Sequence, residues 1–373
     1  MYTKLKNCVA TLPITPMASP GIGLMISPFV MDVLGKKMGL DKVLSLNIKG
    51  AKLYNKETGM HLSGYISSCK DISIYPDFVW RDDQEENLFW INKLFHRLKK
   101  DGRIIKESAE IMRCSCGAVE SLSGAENLSL SRRVYRNEGN KKYCNLCNSE
   151  IRNSKESAYL FCFPSFGGIK TFPKFYSKDL MKMTEKFAGF KFLVSRLRPS
   201  SLILQNGKEK IFLDVDFAWQ MFLPLLRRLG YSPSFLIGSA KNIMACCFAA
   251  MMLKLIDGEE VNVIIPPYYL APGKGDLKGN EYALSSLLQQ YDVKTMRLLL
   301  STAMNWNSKE SVLDIGLANL ISKMAYRINS KEGEICGIEE AISDFNGTNI
   351  KTLLSVIRKN RKVFFCKELF GIV

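Results

Sequence analysis

Two close pairs of cysteines form the clearest chemical pattern in the chain. Cys114 and Cys116 have one residue between them, and Cys144 and Cys147 have two. Thiolates are soft ligands, and four of them suit tetrahedral zinc in a structural site, where no coordination position stays open for catalysis. The single-residue spacer of the first pair is short for a zinc knuckle, so a knuckle that has lost its metal is the alternative. We expect these four cysteines to bind structural Zn²⁺.

The other cysteines and the histidines limit the remaining chemistry. The chain has 11 cysteines, an odd number, and no secretory signal pattern, which favours a reducing, cytoplasmic location over a disulfide framework. Cys246 and Cys247 lie in an apolar segment and are expected in the core. Only two histidines are present, His61 and His96, so a site built from several imidazoles is excluded.

The composition is that of a globular protein with an excess of positive charge. Hydrophobic residues make up 47% of the chain, charged residues 24%, and the formal net charge is +16. Such an excess favours an anionic partner, such as tRNA, another nucleic acid or an acidic protein, and a solvated lysine-rich surface is the alternative. The chain has no stretch of about 18 uncharged apolar residues, so we expect no membrane partner.

The elements that would position these groups begin with a βαβ pattern. Residues 9–12 and 42–46 are apolar runs typical of strands, and they flank a loop at 13–23 and a helical pattern at 24–38. This start places two glycines of the loop at a helix N-terminus, where backbone amides could hold a phosphate. An ordinary turn of an α/β sheet is the alternative.

The α/β pattern continues on both sides of an insert. Residues 84–101 have helical spacing, and residues 106–160 are polar and contain the cysteine pairs. A basic run at 358–362 could touch phosphates, although such runs are more often a solvated helix face. The further expected elements are strands at 210–215, 234–237 and 261–265, a helix from about 242, a loop to 280, a helix after it, and a helical pattern from 292 onward.

In its order of motifs the chain resembles class I methionyl-tRNA synthetases, up to about residue 330. Examples are Ala10-Thr-Leu-Pro13 in the first strand and Ile211-Phe-Leu-Asp214 in a later one. The resemblance implies an α/β fold: a Rossmann-like class I synthetase (HUP) catalytic domain with a zinc-knuckle insert and a short C-terminal helical region. The matching segments are 10–13, 21–24, 80–102, 161–166, 194–196, 211–219, 236–253 and 273–297.

The resemblance also implies a division of the chain into domains. Residues 1–105 and 166–285 would be the two halves of the catalytic domain, and 106–165 the connective insert with the four-cysteine knuckle. Residues 286–373 would be a helical region, too short for the bundle with which the family reads an anticodon. Selective charging of methionine tRNA is therefore not expected.

The first group of family residues that act on ATP is replaced. The family's H-x-G-H loop reads Gly21-Ile-Gly23-Leu24 here, without either histidine. After Gly238, the family's Lys-Asp pair is replaced by Ser239-Ala240. Losing one group that stabilises developing charge typically costs on the order of 100-fold in rate, so ordinary adenylation is expected to be very slow or lost. If ATP and Mg²⁺ still bind, the resemblance places Gly21, Gly23 and Gly238 at the nucleotide.

The second ATP loop of the family is only partly retained. The family's KMSKS loop corresponds to residues 273–280, in which Lys274 and Lys278 could take the place of the usual lysines on the phosphates. Asp276 between them would repel phosphate. Lys274 and Lys278 are accordingly the candidate catalytic residues of any activity that remains.

The amino-acid pocket implied by the resemblance is also rewritten. Asp214 is retained, while Asp216 stands where the family has proline. Two neighbouring carboxylates would favour a polar or cationic ligand such as an amine, unless Asp216 pairs with a nearby Lys or Arg. The implied pocket residues are Leu12, Phe212, Asp214, Asp216, Trp219 and Ala245.

Three functions remain open from the sequence. A pseudo-synthetase, retained as a binding or assembly partner of a protein or RNA, agrees best with the loss of both signatures. A repurposed ATP-dependent enzyme that activates an amino acid and joins it to a small amine, forming an amide, ester or N–N bond, agrees with the rewritten pocket. A tRNA-charging enzyme agrees least. Nucleotide binding separates the second reading from the first.

Overall fold

The fold is taken from a computed structural model. It describes residues 5–49, 58–117, 119–122, 135–196, 202–273, 275–277, 279–304, 306, 308–316 and 318–319. The predictions for Lys274 and Lys278, for the basic run at 358–362 and for the helical pattern beyond residue 319 lie outside the described residues. The helices are α1 (Ile26–Met38), α2 (Thr58–Asp71), α3 (Glu85–Lys100), α4 (Tyr176–Phe187), α5 (Val215–Gln220), α6 (Phe222–Arg228), α7 (Ile243–Asp257), α8 (Leu284–Leu288) and α9 (Val293–Ala303).

The strands fall into one large sheet and several smaller ones. They are β1 (Lys6–Thr11), β2 (Asp41–Leu46), β3 (Phe78–Arg81), β4 (Ile104–Arg113), β5 (Glu120–Leu122), β6 (Tyr135–Glu138), β7 (Lys141–Cys144), β8 (Arg152–Cys162), β9 (Thr171–Phe172), β10 (Lys191–Leu193), β11 (Leu202–Asn206), β12 (Glu209–Leu213), β13 (Tyr231–Ile237), β14 (Asn262–Ile264), β15 (Tyr268–Leu270) and β16 (Glu310–Val312). None of the described helices is long and apolar enough to cross a membrane.

The central sheet is parallel and has helices on both faces. Its strand order is β3-β2-β1-β13-β14-β9, and every neighbouring pair is parallel. Because side chains alternate along a strand, Cys8 and Ala10 of β1 enter one hydrophobic core, and Val9 enters the other. This arrangement confirms the expected Rossmann-like α/β fold.

Each face of the sheet has its own core. The first contains apolar residues of α3, α4, α6 and α7, including Phe95 and Phe248, which are both almost fully buried. The second contains residues of α1, α2, α8 and α9, including Phe29 and Leu299. The predicted helix at 84–101 is confirmed as α3, since its apolar positions at helical spacing face the first core.

The insert is built on a long antiparallel pair. β4 pairs with β8 from Ile104 opposite Phe161 to Arg113 opposite Arg152, within a sheet of order β10-β8-β4-β5. The hairpin of β6 and β7 follows β5 along the chain, and Tyr135 of β6 lies opposite Cys144 of β7. Both cysteine pairs therefore lie at the far end of this sheet, at the end of β4 and the end of β7.

One predicted strand is confirmed with an earlier end, and one helical prediction was wrong in part. The strand predicted for 210–215 ends at Leu213, and α5 begins at Val215, because the chain turns at Asp214, whose carbonyl accepts the first helical hydrogen bond from Ala218 N–H at 2.9 Å. The segment after residue 292 is not helical throughout, because Glu310–Val312 pairs in parallel with β15. Local periodicity carries no information about a partner strand some forty residues away.

Candidate functional site

The first glycine loop lies against the segment that precedes α8. Leu284 N–H donates to the carbonyl of Pro20 at 3.1 Å, and Gly21 forms an antiparallel bridge with Ala283. A 3-10 turn, Ile22–Met25, leads from the loop into α1. The loop therefore lies at the carboxyl end of β1, the edge at which open parallel sheets bind ligands.

Helix α2 holds the same loop from its other side. The Nδ1 atom of His61 accepts a hydrogen bond from Ala18 N–H at 2.9 Å, and the hydroxyl of Tyr65 donates to the carbonyl of Leu24 at 3.0 Å. A Cβ added at Gly64 would lie 2.5 Å from the carbonyl oxygen of Ala18, so glycine is needed for this close approach. His61, which is 43 residues from Ala18 along the chain, is thus brought to the loop by the fold.

The second loop is tied down by an aromatic residue and two opposite charges. The Nζ atom of Lys241 lies 3.2 Å from Oδ1 of Asp276 and 3.6 Å from the ring centre of Tyr268. The Tyr268 hydroxyl donates to the same Oδ1 at 3.0 Å. The added Cβ of Gly23 would lie 3.4 Å from Leu277, so the two glycine-containing loops are neighbours. An anion entering between them would meet the Asp276 carboxylate.

Lys241 is a residue that the sequence analysis missed. It lies in a 3-10 turn, Ala240–Asn242, between β13 and α7, directly after the Ser239-Ala240 replacement. The signal that could have found it is its position, because it follows by two residues the place where the family carries a lysine. The structure makes Lys241 the described cation nearest to the Asp276 carboxylate, through the ion pair above.

Gly238 has a packing role. A Cβ at this position would lie 2.1 Å from the Sγ atom of Cys246, and its carbonyl accepts a hydrogen bond from the Ser27 hydroxyl at 2.9 Å. The strand end can therefore approach both α1 and α7 closely. Cys246 and Cys247 are fully buried in the first core, which confirms that they are core residues, and burial raises the pKa of the Cys246 thiol to about 12.

The residues predicted for the amino-acid pocket are divided between two places. Leu12, Trp219 and Ala245 are 5%, 9% and 7% exposed and belong to the first core. Phe212 instead lines a polar pocket of about 300 Å³ between the insert sheet and β12, together with Tyr159. The structure thus brings the first three together and leaves Phe212 apart from that set.

Asp214, the retained carboxylate of the predicted pocket, forms a buried ion pair with Arg196. Asp214 is 2% exposed, and its Oδ2 atom lies 2.7 Å from Nε of Arg196, which is itself largely buried. A pairing of this kind was the alternative expected for Asp216, whose side chain lies outside the described residues. The positioning of an amine by Asp214 and Asp216 stays a prediction.

The four cysteines converge at one point of the insert. Their Sγ atoms all lie within 4.8 Å of one another, and the closest pairs, Cys114 with Cys147 and Cys114 with Cys116, are 3.3 and 3.4 Å apart. Tetrahedral zinc with Zn–S bonds near 2.3 Å separates its thiolates by about 3.8 Å, so the set fits a metal of this size.

The turns around the cysteines have the geometry of metal knuckles. The carbonyl of Cys114 accepts from Gly117 N–H at 2.9 Å, and the carbonyl of Cys144 accepts from Asn148 N–H at 3.0 Å. Gly117 and Asn148 both have positive φ, of 74° and 57°, which closes each turn over its cysteine pair. Leu146 N–H also points at the Cys144 sulfur, at 3.4 Å. The single residue between Cys114 and Cys116 therefore does not prevent the four sulfur atoms from coming together.

Comparisons with solved structures agree with this architecture. The chain superposes on methionyl-tRNA synthetase of Mycobacterium tuberculosis in complex with methionyl-adenylate with a TM-score of 0.64 and 11% identity, covering 99% of this chain and 82% of that one. The free form of the same enzyme gives a TM-score of 0.62 and 11% identity, over 100% and 81%. The chain has a class I synthetase-like fold. No protein family and no curated protein matches it by sequence.

Proposed function

We propose that this chain is a methionyl-tRNA-synthetase-like protein that no longer forms an adenylate or charges methionine tRNA, and that it serves as a binding or assembly partner. The observation that carries the proposal is the Asp276 carboxylate of the second loop, held 3.2 Å from Lys241. A synthetase stabilises growing negative charge on a triphosphate at this point, and a fixed carboxylate opposes that charge.

The surroundings of Asp276 support the same conclusion. Leu24 contributes an apolar side chain to the first loop where the resemblance implies an imidazole, and Leu277, next to Asp276, is an apolar residue packed against the second core. His61 is directed by its Nδ1 atom to a backbone N–H of the loop, so that nitrogen holds the loop in place. The absence of both imidazoles of the family's first loop removes donors from the phosphate side, and one lost donor typically costs on the order of 100-fold in rate.

A second candidate, the ATP-dependent ligase, is favoured by one observation. An imidazole and an ammonium group, from His61 and Lys241, are supplied to the two loops by other elements. If the contact with Asp276 opened, Lys241 could take a phosphate of ATP with Mg²⁺, and the ligase would join an activated amino acid to an amine. We also propose that the four cysteines bind structural Zn²⁺ in either case, because their sulfur spacing fits it.

The experiment is calorimetric titration of the zinc-loaded chain with ATP and magnesium, alone and with mixed amino acids, followed by pyrophosphate exchange. The pseudo-synthetase proposal expects no saturable ATP binding at millimolar concentration and no exchange. Saturable binding that Lys241→Ala abolishes would overturn it in favour of the ligase. Lys254→Ala is the matched control, since Lys254 is equally exposed and also pairs with one carboxylate, that of Glu260 at 3.0 Å.

A further inference from the structure

Helix α4 carries a regular row of lysines on its outer side. Lys174, Lys178, Lys182 and Lys186 are four residues apart, and all four are exposed. Lys174 precedes the helix, but Ser177 N–H donates to its carbonyl at 3.0 Å, so the helical turn continues back to it. Residues four apart are neighbours on a helix surface, about 6 Å apart along the axis, so the row spans about 18 Å. We call these four residues the lysine stripe.

The orientation of the stripe is fixed by the opposite face of the helix. Tyr176, Leu180, Thr184 and Phe187 of α4 are buried, the three apolar ones in the first core. At 100° per residue, the stripe is centred roughly opposite these buried positions. Helix α4 follows β9, which is an edge strand of the central sheet. The stripe therefore lies on an outer surface of the described fold.

The stripe is not neutralised by the described part of the chain. Its four lysines form no ion pair there, whereas nearby lysines do: Lys309 pairs with Asp179 of α4 at 2.7 Å. Like charges four residues apart destabilise a helix. The arrangement therefore costs stability in the isolated chain, and a polyanion bound along the row would reverse that cost.

The geometry points to a single nucleic-acid strand as the occupant, bound along the lysine stripe through its phosphates. A nucleic-acid strand presents one negative charge per nucleotide at regular steps, which suits evenly spaced ammonium groups. Phe175, 37% exposed, lies at the start of the row on the same side of the helix, where a base could stack on it. One neighbour of the ring is Tyr176, at 4.5 Å between ring centres, and an acidic protein segment would use the charge without stacking on the exposed part of the Phe175 ring.

This inference rests on the proposed role as a binding partner and gives that role a chemistry. The test is fluorescence anisotropy with a labelled single-stranded RNA and a DNA of the same sequence, over a series of salt concentrations. Changing all four stripe lysines to Gln should lower the salt slope by about 3 and weaken binding on the order of 100-fold near 0.1 M salt. RNA and DNA should behave alike, because phosphates are the shared ligand. Phe175→Ala should weaken binding about tenfold.

The control carries the same change of charge elsewhere. Lys70, Lys100, Lys155 and Lys208 are exposed lysines without an ion pair in the described residues, and changing all four to Gln should leave most of the affinity. Equal loss in both variants would overturn the stripe, as would absence of binding by the unchanged chain. If polyglutamate of the same charge displaced the labelled strand as well as unlabelled nucleic acid does, nucleic acid would be overturned as the specific occupant.

Glu185 offers a test of opposite sign. It lies within the stripe between Lys182 and Lys186, is exposed, and forms no ion pair in the described part of the chain. Glu185→Gln should tighten nucleic-acid binding severalfold, and an unchanged affinity would contradict contact along the stripe. Adenylation measured on the same sample separates the two proposals. If the chain binds nucleic acid and also forms an adenylate, only the proposed function is overturned. If it does neither, only the lysine-stripe proposal is overturned.

Discussion

The ammonium group of Lys241 lies 3.2 Å from the carboxylate of Asp276, and both side chains are 46% exposed. This contact joins the turn after β13 to the loop after β15, at the edge of the sheet where open α/β folds bind their ligands. A pair this exposed contributes little to stability. Its consequence is electrostatic, because the charge that could meet a phosphate is neutralised by the chain itself.

Asp276→Asn should release Lys241 and remove the repulsion of an anion. We expect inorganic pyrophosphate to bind about tenfold more tightly, since one charged hydrogen bond becomes available to the ligand. Pyrophosphate exchange should stay undetectable, because the other lost donors are not restored. Calorimetry measures the affinity, and Glu260→Gln, which releases the similarly exposed Lys254, is the control. An unchanged affinity would show that Asp276 does not limit anion binding.

Gly64→Ala should displace the first loop from α2. The new Cβ would lie 2.5 Å from the carbonyl oxygen of Ala18, a backbone atom that cannot rotate away, so we expect a loss of about 1–3 kcal/mol. Gly59→Ala in the same helix meets nothing within 4 Å and should be neutral or stabilising by up to about 1 kcal/mol. Urea denaturation compares the two. Equal changes in unfolding free energy for the two variants would mean that the first loop can move away from Gly64 without loss of stability.

The fold could be predicted because its signals are local. Apolar runs and helical spacing near β1, α1 and α3 indicated the α/β pattern, and the two cysteine pairs indicated the cluster of four thiols. The break at Asp214 could not be predicted from the apolar run around it, because the partner of the buried Asp214 carboxylate, Arg196, comes from another part of the chain.

The candidate site was only partly visible in the sequence. The differences from the family's motifs can be read directly, but the side chains that contact the two loops come from distant positions. His61 reaches Ala18 across 43 residues, and Lys241 reaches Asp276 across 35. Such contacts leave no periodic pattern in the sequence, since each depends on how two elements pack.

Arg297 should prove essential for stability. It is 1% exposed, lies 2.8 Å from the fully buried Asp32, and donates to the carbonyl of Ile72 at 3.0 Å. Arg297→Met leaves that carboxylate and carbonyl short of a donor, and we expect a loss of about 3–5 kcal/mol in the free energy of unfolding, by urea denaturation. Lys36 also pairs with Asp32, at 3.1 Å, but from a partly exposed position. Lys36→Met should lower the free energy of unfolding by less than about 1 kcal/mol. An equal loss in the two variants would contradict a special contribution of the buried Arg297–Asp32 pair.

Removal of metal should unfold the knuckle and spare the rest. We expect about one zinc per chain by metal analysis, and Cys144→Ser should lose it, because a four-thiolate site needs every ligand. Cys162→Ser is the control: this thiol is partly exposed and lies outside the cluster, so the metal should remain. Limited proteolysis after chelation should cut between 114 and 150 first. A chain without metal that resists proteolysis there would indicate a knuckle that folds without zinc.

Asp82 should make stability depend on pH. Burial raises the pKa of this carboxyl from its ordinary value of 3.8 to about 7, against the hydrogen bonds that it accepts from Lys49 and Ile48 N–H. The folded chain then holds a proton that the unfolded chain releases, so this contribution is complete below about pH 4 and is lost as pH rises to about 7. Asp82→Asn should flatten the decline in unfolding free energy measured from pH 4.5 to 7.5, whereas the exposed Asp71→Asn should keep it. Parallel curves for Asp82→Asn and the unchanged chain would show that Asp82 is ionised throughout that range.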